Sequence, residues 1–300
     1  MTIELSPLTS ADLERRMPAM IALFADALVG DHGFTPEEAA RESERQTRDL
    51  LPDGVATAGQ LLRKGVVDGA EVGFLWISLP GTTFETMAWI SEIEVAGEHR
   101  SRGYGSAMLR AGEAELAARG IGRVGLHVFG HNTGARRLYR RLGYRVLTQI
   151  RARSASPTGS PVTLVPMTPG EYARRLDELV TADPMVLVRE RPERARTRAA
   201  AIGPDELHTA VADGRPVGWV WLAKPTAGRP GAGIIRYLAV DEPYRHQGLA
   251  RGIVAAAEAT VAHHRVPQVG LFVSASTPGA EAFADRLAFP VVSEQLVKDL

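Results

Sequence analysis

The chain has 300 residues, enough for about two domains of ordinary size, and its 35 basic and 35 acidic side chains cancel at pH 7. Bulk charge therefore gives no reason to expect a nucleic acid partner, and the absence of cysteine excludes disulfides, thiolate metal sites and a cysteine nucleophile. No metal is expected. The start, Met1-Thr2-Ile3-Glu4-Leu5, lacks the basic and then apolar run of a secretory signal, and no apolar run approaches the ~20 residues needed to span a bilayer; a soluble, cytoplasmic protein without membrane association is the expectation.

In chain order, the pattern predicts an opening strand at Ile3 to Leu5 and one or two helices, including Leu13 to Leu28. A further helical segment falls around Phe34 to Gly59. A strand at Val72 to Ser78 is expected to pair with one at Thr86 to Val95 as a hairpin. A helix from about Gly105 to Arg119 and a strand at Val124 to Phe129 follow. The next helix, Thr133 to Leu142, presents Ala135, Leu138, Tyr139 and Leu142 on one face and is stopped by Gly143. The last strand of this half begins near Tyr144. Arg153 to Pro161 has the composition of a short linker.

Beyond the linker the order repeats. Val72-Gly73-Phe74-Leu75-Trp76 matches Val217-Gly218-Trp219-Val220-Trp221, and Glu92-Ile93-Glu94-Val95 matches Tyr237-Leu238-Ala239-Val240, each 145 residues on (240 − 95). The register holds without a gap from Val72 to Val146. The fold class is thus α/β, a mixed sheet flanked by helices and made twice, with domains at 1–153 and 161–300. Trp76 and Trp221 occupy equivalent strand positions and read as core.

The most informative segment is Arg100-Ser101-Arg102-Gly103-Tyr104-Gly105, which follows a strand and opens a helix. Glycine lets such a backbone bend and brings N–H groups close to a ligand, the helix adds its positive end, and arginine suits phosphate oxygens. A dinucleotide fingerprint is excluded, because Met108 stands where a third glycine belongs and Val128-Phe129-Gly130 ends its strand without an acid. A nucleoside-triphosphate loop is excluded by the missing Gly-Lys-Ser/Thr.

The pattern Arg-x-x-Gly-x-Gly after a strand resembles the acetyl-CoA loop of the GNAT N-acetyltransferase superfamily. The run from His131-Asn132-Thr133 to Tyr139 and Leu142-Gly143-Tyr144 is similar to the family's second motif. The resemblance covers most of each half and implies a tandem GNAT protein. It implies acetyl-CoA as co-substrate, an amine as acceptor, and direct attack of the amine on the thioester. The backbone of Ile93, Glu94 and Val95 would pair with the pantetheine arm. The amides from Ser101 to Ser106, with Arg100, Arg102, Gly103, Tyr104 and Gly105, would seat the pyrophosphate. Asn132 and Tyr139 would also touch the cofactor, Asn132 doubling as a helix N-cap. Tyr139 would protonate the departing thiolate, and a backbone N–H near Val95 would hold developing negative charge.

Three residues compete for the role of base: His127, whose ordinary pKa lies near neutrality, and Glu92 and Glu94. The acceptor, a small molecule or a peptide, is not legible; Glu37, Glu38, Glu42 and Glu44 read as a solvated helix face rather than as a trap for a cationic amine. Monomer and homodimer are both open.

The second half departs from the pattern. Asn132 corresponds to Thr277, Tyr139 to Ala284, His127 to Phe272 and Glu94 to Ala239. The first domain is therefore expected to be catalytic and the second degenerate. Tandem relatives that make mycothiol have an active second half, the opposite asymmetry, so that substrate is not adopted. The alternative reading is a non-catalytic protein that binds acyl-CoA or regulates through it.

Overall fold

The computed structural model describes residues 3–32, 34–156, 159–182, 206–223, 225, 232–264 and 266–300. The chain is a mixed α/β structure with two compact units. Unit 1 comprises Met1–Gly30, Thr35–Leu147 and Glu294–Leu300; unit 2 comprises Asp31–Phe34 and Thr148–Ser293. Among the described residues, no helix is long and apolar enough to cross a membrane.

Unit 1 is built from β1 (Glu4–Pro7), α1 (Ser10–His32), α2 (Pro36–Leu50), β2 (Gln60–Val67), β3 (Ala70–Ser78), β4 (Ala88–Val95), α3 (Tyr104–Ala118), β5 (Arg123–Phe129) and α4 (Thr133–Arg141). β1 to β4 form an antiparallel meander; β4 and β5 run parallel, joined through α3. The strand next to β5 is β12 (Val291–Asp299), from the far end of the chain. Asp299 ties it down by ion pairs to Arg123 (2.7 Å) and Arg145 (3.0 Å), and Leu296 is fully buried in the core with Leu126 and Val128.

Both faces of β3 are covered, which is why it reads as a continuous apolar run. Leu75 and Ile77 face Leu109 and Leu116 of α3, whereas Phe74 and Trp76 pack with Leu13 and Met20 of α1. Trp76 is thus a core residue, its indole N–H donating to Gln60 Oε1 at 2.7 Å. The Glu-rich helix is α2. It is held by a capping box between Thr35 and Glu38, and Glu37, Glu42 and Glu44 pair with Arg41, Arg45 and Arg48 on the same helix.

Unit 2 repeats this plan with β6 (Arg145–Ser154, from Thr148 on), β7 (Val162–Pro166), α5 (Pro169–Ala182), β8 (Leu207–Ala212), β9 (Arg215–Ala223), β10 (Ala232–Val240), α6 (Leu249–His263), β11 (Gln268–Ser274) and α7 (Ala280–Arg286). Its strand order is β6-β11-β10-β9-β8-β7, with β10 and β11 parallel. Trp219 and Trp221 fill one face of β9, and Val220 and Leu222 the other.

Candidate active site

The site in unit 1 begins with an irregularity in β4. Opposite β3, Trp76 pairs with Glu92 and Ile77 with Ile90, so Ser91 is an extra, bulged residue. On the other edge, β4 pairs with β5 only from Ala88 to Ile90. The two strands separate at the bulge, and the edge of β4 from Glu92 to Val95 turns toward open space. The direction of its amides follows from pleating. Ala96 donates its N–H to Val72 on the β3 side at 3.0 Å, so the N–H groups of Val95 and Ile93 point away from β3 into the gap. Gly73 is required here, because a Cβ on it would lie 2.2 Å from the Glu94 carbonyl oxygen.

The loop after β4 has a distinctive backbone. Ser101 (φ 61°) and Gly103 (φ 85°) are both left-handed, and Gly103 is the N-cap of α3. Left-handed residues alternating with ordinary ones turn successive N–H groups to one side, and the first amides of α3 have no partner within the helix. Gly103 supplies the backbone freedom. Gly105 does not need it: a Cβ there would make only ordinary contacts of 3.6 Å with Leu138 and Val95, in keeping with Ala250 at the equivalent place. Arg100 closes the loop by donating from Nε to the Val95 carbonyl at 3.1 Å.

These elements enclose a groove of about 1090 Å³. It brings together Glu92, Ile93, Glu94, Val95, Arg100, Ser101, Gly103, Tyr104, Gly105, Ser106 and Asn132, as the sequence anticipates; Arg102, His127 and Tyr139 are not among the residues that line it. Asn132 is the N-cap of α4, its Oδ1 accepting from the Ala135 N–H at 3.1 Å. His127, on β5, stands edge-on to Phe129 with ring centroids 4.8 Å apart. Tyr139 is 6 % exposed and packs against Tyr144, ring centroids 5.7 Å apart. Burial raises its hydroxyl to about 12.

The two glutamates differ. Burial, and then the charge of Glu94, push the Glu92 carboxyl up to about 7, only partly opposed by Arg16. Glu94 is half-exposed and accepts from Arg16 Nη1 at 3.3 Å; Arg16 also pairs with Glu71. Arg16 is not among the residues anticipated from the sequence. It lies on α1, whose Arg15, Arg16, Ala19, Met20 and Leu23 form one wall of the groove. From Arg15 they follow at one, four, five and eight residues, on one helical face, a pattern shared with any packed helix.

Unit 2 has the same separation of strands. β10 pairs with β11 only as far as Ile235 and Leu271, and a bulge follows at Arg236. His246 (φ 64°) and Gly248 (φ 79°) repeat the left-handed pair, and Arg245 Nε donates to the Val240 carbonyl at 3.2 Å. The gap is smaller, about 240 Å³, and mostly apolar, with Leu271, Phe272, Val273 and Phe283 in its walls. Tyr237 stands where unit 1 has Glu92 and packs on Trp219 at 4.7 Å.

A parallel strand pair parted at a bulge, with a loop of left-handed residues opening a helix beside the gap, is the arrangement that both units share. A model of the Acetyltransferase (GNAT) family matches residues 23–144 and again 173–289, and the chain belongs to that family as a tandem of two such domains. It is 30% identical over 146 residues to the uncharacterized N-acetyltransferase YycN of Bacillus subtilis (strain 168), covering 48% of this chain and 94% of that one. A mycothiol acetyltransferase of Amycolatopsis mediterranei (strain U-32) is 27% identical over 244 residues, 74% of this chain and 78% of its own. The match to the mycothiol acetyltransferase of Clavibacter sepedonicus spans 45% of that protein. Among solved structures, a GCN5-related N-acetyltransferase from Sphaerobacter thermophilus superposes with a TM-score of 0.58 at 20% identity, over 99% of this chain and 95% of that one; it shows the fold alone.

Proposed function

We propose that unit 1 transfers an acetyl group from acetyl-CoA to a primary amine by direct attack. The observation that carries this reading is the position of Glu92, whose carboxyl titrates near neutrality at the point where β4 leaves β5. The residues fit the co-substrate: the amides of the loop from Ser101 to Ser106 suit a pyrophosphate, and the free edge of Ile93 to Val95 suits an arm that pairs like a strand. When bound, acetyl-CoA supplies an activated acyl carbon and a sulfur leaving group.

The chain supplies the proton transfers. Glu92 takes one proton from the ammonium of the acceptor, and the freed amine forms the new C–N bond as the C–S bond breaks. A second proton leaves the nitrogen to water, and Tyr139 gives one to the departing sulfur and recovers it from solvent. The Val95 N–H faces the gap where negative charge develops on the acyl oxygen. A tyrosine raised to about 12 keeps its proton throughout the working range, as a general acid must. Glu94 is the weaker base, since Arg16 holds it as an ion pair, and the His127 ring is packed edge-on against Phe129.

Unit 2 keeps the loop but lacks a carboxylate at the equivalents of Glu92 and Glu94, and we assign it no chemistry. The relatives named mycothiol acetyltransferase carry the name of a small molecule, which favours a small-molecule acceptor over a peptide here. Incubating the full chain with acetyl-CoA and a panel of small amines and peptides, and following free thiol, tests the reading. Release of CoA that Glu92→Gln slows by about 100-fold or more is expected. No release with any acceptor would count against catalysis and favour a binding protein.

A further inference from the structure

α4 has nine residues, Thr133-Gly134-Ala135-Arg136-Arg137-Leu138-Tyr139-Arg140-Arg141. It is too short and too basic to hold its place through intrinsic helix stability, and Tyr139 is its one fully buried side chain. Yet it forms a wall of the unit 1 groove through Gly134, Ala135, Leu138 and Arg141, with its N-cap Asn132 at the edge. Something outside the helix must fix it.

That anchor is on β12. The Glu294 side chain is 0 % exposed, and both of its oxygens are occupied. Arg136 donates from Nε to Oε2 at 2.8 Å and from Nη2 to Oε1 at 3.0 Å, and Arg140 Nη2 reaches Oε1 at 3.0 Å. Arg136 and Arg140 lie one turn apart, so one carboxylate grips one face of the helix. Arg136 Nη1 also donates to the Gly130 carbonyl at 3.2 Å, tying down the loop that leads from β5 into α4. A carboxylate removed from water is stable only when fully paired, and a bidentate arginine fixes orientation as well as distance.

The latch is not a relic of the duplication. In unit 2 the counterparts of Arg136 and Arg140 are Glu281 and Asp285, and Gln149 stands for Glu294. There the helix is tied with the opposite sign, Asp285 of α7 accepting from Arg151 of β6 at 2.5 Å. The same mechanical point is met twice by unrelated residues.

We infer that Glu294 is a positioning residue for the co-substrate groove of unit 1: through Arg136 and Arg140 it sets where α4 places Asn132, Leu138 and Tyr139. The inference rests on the reading that this groove seats acetyl-CoA. The test uses the full chain and its Glu294→Gln, Glu294→Asp and Arg136→Gln variants. Amide hydrogen exchange is compared between peptides covering 131–143 and 104–118, and acetyl-CoA affinity is measured by calorimetry. Glu294→Gln should speed exchange in α4 by about tenfold while leaving α3 unchanged, and weaken acetyl-CoA by about tenfold. Glu294→Asp should recover most of both, and Arg136→Gln should act in the same direction with smaller effect. Wild-type exchange and affinity in Glu294→Gln would overturn the inference. So would equal loss of protection in α3 and α4 for both Glu294→Gln and Arg136→Gln, which would make the carboxylate a general folding element. If the wild-type chain binds no acetyl-CoA, the functional reading fails, and the exchange comparison still decides whether Glu294 fixes α4.

Discussion

Glu92 and Glu94 are two residues apart on one strand, and their surroundings give them different chemistry. Glu94 is half-exposed and paired with Arg16, whereas Glu92 is half-buried beside a like charge that Arg16 only partly offsets. In its proposed role of base, Glu92 must be ionised, so turnover should rise with pH through about 7 and then level off. Glu94→Gln removes a neighbouring negative charge and leaves Arg16 in place, so the rising limb should move to lower pH. The same group has a stability consequence that needs no acceptor. Its folded pKa lies above the ordinary carboxyl value, so its contribution is intact below about 4.5 and is lost as pH rises to about 7. Glu92→Gln should therefore raise the melting temperature at pH 8 and leave it nearly unchanged at pH 4. Tyr139→Phe should slow turnover by roughly 10- to 100-fold at neutral pH. Because the tyrosine ring carries the packing, the melting temperature should shift little. A fall of many degrees would mark Tyr139 as structural only.

At the scale of elements, the periodicities and stop signals placed β3, β4, α3, β5 and α4 within a residue or two of where they lie. They failed at β2. Leu61 and Leu62 are both buried while Arg63 and Lys64 are both half-buried, so β2 shows no alternation. The better signal was the turn after it. Asp68 (φ 50°) and Gly69 (φ 78°) form a left-handed pair between β2 and β3, recurring as Asp213 and Gly214, and Asp-Gly is a strong hairpin marker. The loop at Gly103 was legible because its glycine has a geometric cause. The wall made by α1 was not, because Arg15 to Leu23 belong to a helix whose other contacts are core. One departure from the duplication carries an energetic prediction. Gly143 (φ 88°) ends α4, and its counterpart after α7 is Ala288, held at φ 55°. Alanine is strained there, so Ala288→Gly should stabilise unit 2 by about 0.5–1 kcal/mol, measurable as a higher denaturant midpoint. A lower midpoint would show that the methyl group packs favourably enough to offset the strain.

At the scale of the whole molecule, the repeat announced two domains of one family, and the family model matches both halves. No periodicity announced that the strand beside β5 comes from the end of the chain. Strand partners are chosen by long-range packing, here Leu296 in the core of unit 1 and Glu294 beneath α4, and neither leaves a local pattern. Unit 1 should accordingly depend on residues 294–300. A chain ending at 293 is expected to lose the cooperative unfolding of unit 1, read by differential scanning calorimetry. The proposed chemistry depends on the amides beyond Val95 seating acetyl-CoA. The decisive experiment is calorimetric titration of acetyl-CoA into the full chain beside Gly103→Val. A saturable site that weakens at least tenfold when a β-branched residue is forced into the left-handed position is the predicted result. No binding to the wild-type chain, or equal binding to both, would contradict it.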